Sequence, residues 1–127
     1  MFHVEADAPH NLLVQTFTQQ VAPIQMRHCR VAIETALTQL SPGFRLLTDL
    51  SKLEKMDYTC AKEISKIMDR CREKGVAEVV RVIPDSKKDI GFKVLSFFHY
   101  GPAIPIVTCE TLQEAQTKLG MRPDRPE

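Results

Sequence analysis

Apolar positions follow two rhythms along this chain, short β-branched runs and longer stretches with spacings of three and four, and the two alternate. Residues 12–18, Leu-Leu-Val-Gln-Thr-Phe-Thr, have the composition of a short strand bounded by Pro9-His10-Asn11 and by a polar stretch ending at Pro23. Met26, Cys29, Ile33, Ala36, Leu37 and Leu40 then mark one buried face of a helix over 24–40. Pro23 suits its first turn and Ser41-Pro42-Gly43 stops it. Residues 44–50, Phe-Arg-Leu-Leu-Thr-Asp-Leu, predict a central strand, followed by a loop over 51–56.

The clearest helix is predicted from Tyr58 to Lys74, where Cys60, Ile64, Ile67, Met68 and Cys71 form one stripe and Gly75 follows as a left-handed stop. Residues 76–83 are strongly β-branched and closed by Pro84-Asp85, hence a third strand. Ser86 with Asp89 three residues on opens a helix through Ile90, Val94, Phe97 and Phe98 toward Tyr100, which Gly101-Pro102 breaks. A fourth strand over 104–109 and a last helix behind the capping box of Thr111 and Glu114, ended by Gly120, complete the pattern.

Strand and helix thus alternate four times, which predicts an α/β fold: about four mainly parallel strands joined by crossover helices in a single domain. The domain is expected over 11–120, with 1–10 as an N-terminal extension and the Pro-rich, charged residues 121–127 as a flexible tail. A length of 127 residues fits one such core.

Charge narrows the function classes. Seventeen Lys and Arg against sixteen Asp and Glu give a net charge of +1, with acids and bases interleaved, so no basic footprint for nucleic acid or an anionic membrane is present. No apolar run is long enough to span a bilayer and the N-terminus lacks an export pattern, so the expected compartment is the cytoplasm. The four cysteines, at 29, 60, 71 and 109, lack a disulfide framework and read as reduced thiols, three of them on apolar helical stripes.

Chemistry-bearing motifs are sparse. The five glycines are isolated, so no phosphate-cradling loop is formed, and no Gly-x-Ser-x-Gly elbow occurs. His3, His10, His28 and His99 make no His-x-x-x-His, and there is no Cys-x-x-Cys, so neither a metal nor another cofactor is expected. Phe97-Phe98-His99-Tyr100, with Phe92 before it, cannot point wholly inward on a helix; some of it is expected to face a neighbouring helix, a dimer mate or a ligand groove. Asp57 reads as a helix N-cap.

The stretch Asp49-Leu-Ser-Lys-Leu-Glu-Lys-Met-Asp57-Tyr-Thr-Cys60 resembles the Asp-Leu-Ser-Gly-x-x-x-Ile-Asp-Ser-Ser-Gly signature of STAS domains, and it likewise sits between a strand and an apolar-striped helix. The order of elements over residues 11–120 is similar to that family's as well. Asp89-Ile-Gly-Phe-Lys-Val-Leu-Ser-Phe-Phe-His-Tyr-Gly101 resembles a segment of its anti-sigma-factor-antagonist-like proteins of uncharacterised function.

The resemblance implies a regulatory, non-enzymatic module. In the antagonists, an unphosphorylated hydroxyl at the start of the helix permits docking onto a kinase-like anti-sigma factor, and phosphorylation there abolishes it. Carried onto this chain, the docking or phospho-switch region is Ser51, Asp57, Tyr58 and Thr59. Tyr58 occupies the phospho-acceptor position, Thr59 the second hydroxyl position, and Cys60 that of the family's Gly. A helix start suits such a switch because its free N–H groups accept a phosphate while the added charge changes what a partner meets.

The expected partner is a protein, the kinase-like regulator or another, with a homodimer as a further possibility. The alternative is a carrier of lipid or another apolar molecule, since the superfamily is similar in fold to lipid-binding CRAL-TRIO domains; its groove would involve Phe92, Phe97, Phe98, His99 and Tyr100. An enzyme using Asp49, Asp57, Tyr58 or His99 ranks last, because spacing places no two of them together.

Overall fold

The computed structural model describes residues 1–84 and 103–120. Five strands form one sheet in the order β1-β2-β3-β4-β5, spanning Phe2–Asp7, Leu12–Val21, Arg45–Met56, Glu78–Val82 and Ile106–Cys109. β2 to β5 run parallel, and β1 lies antiparallel on the outer side of β2. Helices α1 (Pro23–Leu37), α2 (Ala61–Lys74) and α3 (Leu112–Lys118) complete the α/β layers among the described residues.

Two departures from the sequence reading alter the sheet. Residues 2–7, set before the domain as an extension, form β1, with Phe2, Val4 and Ala6 half-buried against the core. Residues 51–56, expected as a loop, continue β3. Their charged Lys52, Glu54 and Lys55 obscure the buried Leu53 and Met56, and pairing with residues 18–21 of β2 supplies the backbone hydrogen bonds that a loop would take from water. The predicted helix over 86–100, including Phe92, Phe97, Phe98, His99 and Tyr100, and the tail over 121–127 lie outside the described residues.

The strand period of two sorts neighbouring residues to opposite faces. Leu13, Phe17, Leu46, Leu50, Leu53 and Val79 join the stripes of α1 and α2 in the larger core cluster. Leu12, Leu47, Val80, Val82 and Cys109 face the other way and pack against Ala115 and Leu119 at the last helix. All four cysteines are free and buried.

The helix ends follow their local chemistry. Pro23 opens α1, and the Gln25 side chain accepts the Ala22 N–H at 3.0 Å. Beyond Leu37 the chain tightens into i to i−3 hydrogen bonds through Leu40. Gly75 ends α2 at φ 98°, and a Cβ there would lie 3.2 Å from that of Pro42, so glycine meets both a dihedral and a packing demand. Thr111 caps α3 by accepting the Glu114 N–H at 3.0 Å, while the Glu114 carboxylate takes the Glu110 N–H, one residue outside the expected box.

β2 and β3 run beyond the others. Pairing of β3 with β4 stops at Asp49 and Val82, whereas pairing of β2 with β3 continues to Val21 and Met56. This two-stranded projection has register shifts at Thr16/Thr18 and Gln19/Gln20, and Gln19 adopts φ 57°. Such bulges re-aim a strand end where pairing terminates.

Candidate functional site

The tip of the projection carries the residues singled out by sequence. Val21 and Met56 pair at the carboxyl ends of two parallel strands, and each strand then turns into a helix. In parallel α/β sheets, the ground beyond the carboxyl ends of the strands is where binding surfaces form, because the loops there are free of the sheet's own pairing. After Met56 the chain makes a one-turn 3-10 helix, Tyr58–Cys60, before α2 begins.

Asp57 builds this turn. One carboxylate oxygen, Oδ1, accepts the Thr59 N–H at 2.9 Å and the Thr59 hydroxyl at 2.8 Å. The expected N-cap is thus present, although it caps the 3-10 turn ahead of α2. The Thr59 N–H, then the Thr59 hydroxyl and the nearby Lys55 charge, hold the Asp57 carboxyl below the usual carboxylate range. Cys60 turns inward and donates weakly to the Val21 carbonyl, tying the turn to the end of β2. Burial, followed by the Asp57 charge, pushes its thiol up to about 11, so it stays protonated at neutral pH and is a poor nucleophile.

With Cys60 inside and Thr59 held by Asp57, Tyr58 is left pointing out. It is 75% exposed, and Ile24, just past the end of β2, is 52% exposed. Two large apolar side chains in water at the same end of the sheet, beside a fixed carboxylate, make an amphipathic surface. Ile24 was not among the sequence candidates; its place off the apolar stripe of α1 was the available signal.

The structure brings Asp57, Tyr58 and Thr59 together in one turn and sets Ser51 apart. Ser51 lies within β3, its N–H and hydroxyl both donating to Asp49 Oδ1 at 3.0 and 2.7 Å. Six strand steps separate it from Asp57, roughly 20 Å at the usual rise. Among the described residues, no group of three or more His, Cys, Asp or Glu could hold a metal ion, and no helix is long and apolar enough to cross a membrane.

No protein-family model and no curated protein matches the sequence. Solved structures do match in fold. The anti-sigma factor antagonist SpoIIAA in its unphosphorylated form is similar at TM-score 0.64 and 13% identity, over 93% of this chain and 96% of that one. SpoIIAA of Bacillus in its phosphorylated form is similar at TM-score 0.63 and 18% identity, over 94% of this chain and 99% of that one. An uncharacterised DUF3478-family protein with a SpoIIAA-like fold, from Shewanella loihica, is similar at TM-score 0.64 and 16% identity, over 94% and 92%. The chain therefore has the SpoIIAA-like, STAS-domain fold that its Asp49 to Cys60 stretch and its element order led us to expect.

Proposed function

We propose that this chain is a non-enzymatic regulatory module that docks a protein partner on the surface around Asp57, Tyr58, Thr59 and Ile24. The observation that carries this reading is the turn itself. Asp57 holds both donors of Thr59, which leaves the Tyr58 ring presented to solvent at the carboxyl ends of β2 and β3. An exposed aromatic on a rigid turn loses little entropy on burial, a property of residues that dominate interfaces.

The fold shared with anti-sigma factor antagonists suggests the partner, a kinase-like anti-sigma factor or a related regulator. Added negative charge at Thr59 would stand beside the Asp57 carboxylate and displace the hydroxyl bond that shapes the turn. Phosphorylation there would then release the partner by like-charge repulsion and by disordering the turn.

The test is affinity capture from the source cell's lysate with wild type, Asp57→Lys and Thr59→Glu, read by mass spectrometry. Retention of a kinase-like regulator by wild type and its loss from both variants is the expected result. Equal retention by all three moves docking elsewhere on the fold. A small molecule co-purifying in place of any protein replaces the docking reading with the carrier reading.

A further inference from the structure

We propose that the outer edge of β1 is an interface between two copies of this chain, paired antiparallel about a two-fold axis through Val4. The hydrogen-bond phase of the strand comes first. The Thr18 N–H donates to the Met1 carbonyl at 2.9 Å and the Met1 nitrogen to the Thr18 carbonyl at 2.7 Å, so Met1 and Thr18 are a hydrogen-bonded pair. Antiparallel pairs alternate between bonded and non-bonded. With the unbroken register from Phe2 opposite Phe17 to Asp7 opposite Leu12, His3, Glu5 and Asp7 bond inward to β2. The N–H and C=O groups of Phe2, Val4 and Ala6 therefore point outward, away from the sheet.

Among the described residues, β1 is the end strand of the sheet. Natural edge strands are protected against pairing by lysine, proline, bulges or brevity. This one has six residues, Phe-His-Val-Glu-Ala-Asp, with no Lys or Pro and no register shift. Its exposed chemistry is also self-complementary. With the two-fold axis through Val4, Val4 bonds reciprocally with Val4 of the second copy, and Phe2 with Ala6 of the second copy, twice by symmetry.

The same register sets His3 opposite Glu5 of the second copy, again twice. These are the close, non-bonded positions at this new seam, where side chains interact most strongly. His3 and Glu5 are both exposed on one face, and within one chain His3 Nε2 already lies 3.6 Å from Glu5 Oε1, so their reach and polarity suit the contact. On the other face Phe2, Val4 and Ala6 are half-buried, and a second copy would cover the remainder. Main-chain bonds over a short strand, with little apolar area, place the dimer at the weak end of specific interfaces, so it assembles with concentration.

Sedimentation velocity over a series from low to several hundred micromolar protein tests this on the full chain. Wild type is expected to shift from monomer to dimer. His3→Glu sets like charges opposite each other twice and is expected to raise the dissociation constant about tenfold. The double variant His3→Glu with Glu5→Lys sets opposite charges against each other and is expected to return the constant toward wild type. Val4→Pro removes an outward N–H that makes no bond among the described residues and is expected to abolish association. Because His3 and Glu5 are exposed, their variants report even if Val4→Pro fails to fold. A wild type that stays monomeric throughout, or a dimer whose constant His3→Glu leaves unchanged, overturns the proposal.

Discussion

Gln15 and Thr48 face each other across β2 and β3, with Gln15 Nε2 donating to Thr48 Oγ1 at 2.9 Å. Both side chains are buried, on the side of the sheet that α1 and α2 cover, and Gln15 Oε1 has no hydrogen-bond partner among the described residues. The sheet register continues this polar row through Arg81 to Thr108, where Arg81 Nε donates to Thr108 Oγ1 at 2.9 Å. A buried amide with one end unpaired stabilises little, and losing its remaining bond is costly.

Thr48→Val is therefore expected to lower stability by about 1–3 kcal/mol, because it strands the whole Gln15 amide. Adding Gln15→Met to Thr48→Val removes the stranded group and is expected to recover most of that loss. Urea unfolding of the two single variants and the double variant closes the cycle. A double variant no more stable than Thr48→Val would show that the pair is not a net burden once broken.

The projecting end of β3 carries a second prediction. Leu53 is fully buried in the larger core although the residues around it are charged. Leu53→Ala is expected to cost about 2–5 kcal/mol, the range for a buried leucine, whereas a leucine in a surface loop would cost far less. A loss within a few tenths of a kcal/mol in urea unfolding would contradict the continuous strand.

Leu53 also shows why part of the fold was hidden from the sequence. The helices were legible because their buried faces are long and regular: Met26, Cys29 and Ile33 in α1, and Ile64, Ile67 and Cys71 in α2, all are core. The parallel strands were legible as short β-branched or apolar runs between them. Residues 51–56 put one leucine and one methionine among Ser, two Lys and Glu, with a spacing of three across an irregular register, so period two never appears. β1 was missed for a similar reason, since an edge strand half-buried on one face has only Phe2, Val4 and Ala6 to declare it.

At the candidate site, the resemblance located Asp57, Tyr58 and Thr59, and the N-cap expectation for Asp57 holds in the turn geometry. What the sequence did not reveal is which hydroxyl is engaged. That depends on the 3-10 turn, which directs Thr59 back to Asp57 and Tyr58 outward. Ser51 shows the same limit, because only the strand reveals that its hydroxyl is held by Asp49.

The ion pairs between α1 and α2 give a pH-dependent prediction. Arg30 Nε lies 2.7 Å from Glu63 Oε1, and Glu63 is buried. That hydrogen bond, ahead of the Lys66 charge, holds the Glu63 carboxyl below the usual glutamate range. A carboxyl whose folded value lies below its unfolded one stabilises the fold above the ordinary range, and the contribution fades as pH falls through the lowered folded value. Arg30→Met is therefore expected to shrink the stability difference between neutral and acid pH. Identical acid losses in wild type and Arg30→Met, followed by urea unfolding across that window, would assign the loss to other carboxyls.

Asp57 offers the most local check on the candidate site. Its carboxyl is lowered first by the Thr59 backbone N–H and second by the Thr59 hydroxyl, so the two contributions separate by substitution. Thr59→Val keeps the N–H and removes the hydroxyl. Followed by NMR, the Asp57 side-chain carboxyl is expected to titrate below the ordinary aspartate range in wild type, and to move partway back in Thr59→Val. Full return would mean that the turn itself depends on the hydroxyl, and no movement would mean that the hydroxyl bond is absent in solution. The partial shift is the signature of a turn held by two donors on one oxygen, the arrangement that leaves Tyr58 exposed. Tyr58→Ala should then leave the Asp57 titration and the stability of the fold unchanged while weakening partner capture, because its ring belongs to neither core cluster of the described residues.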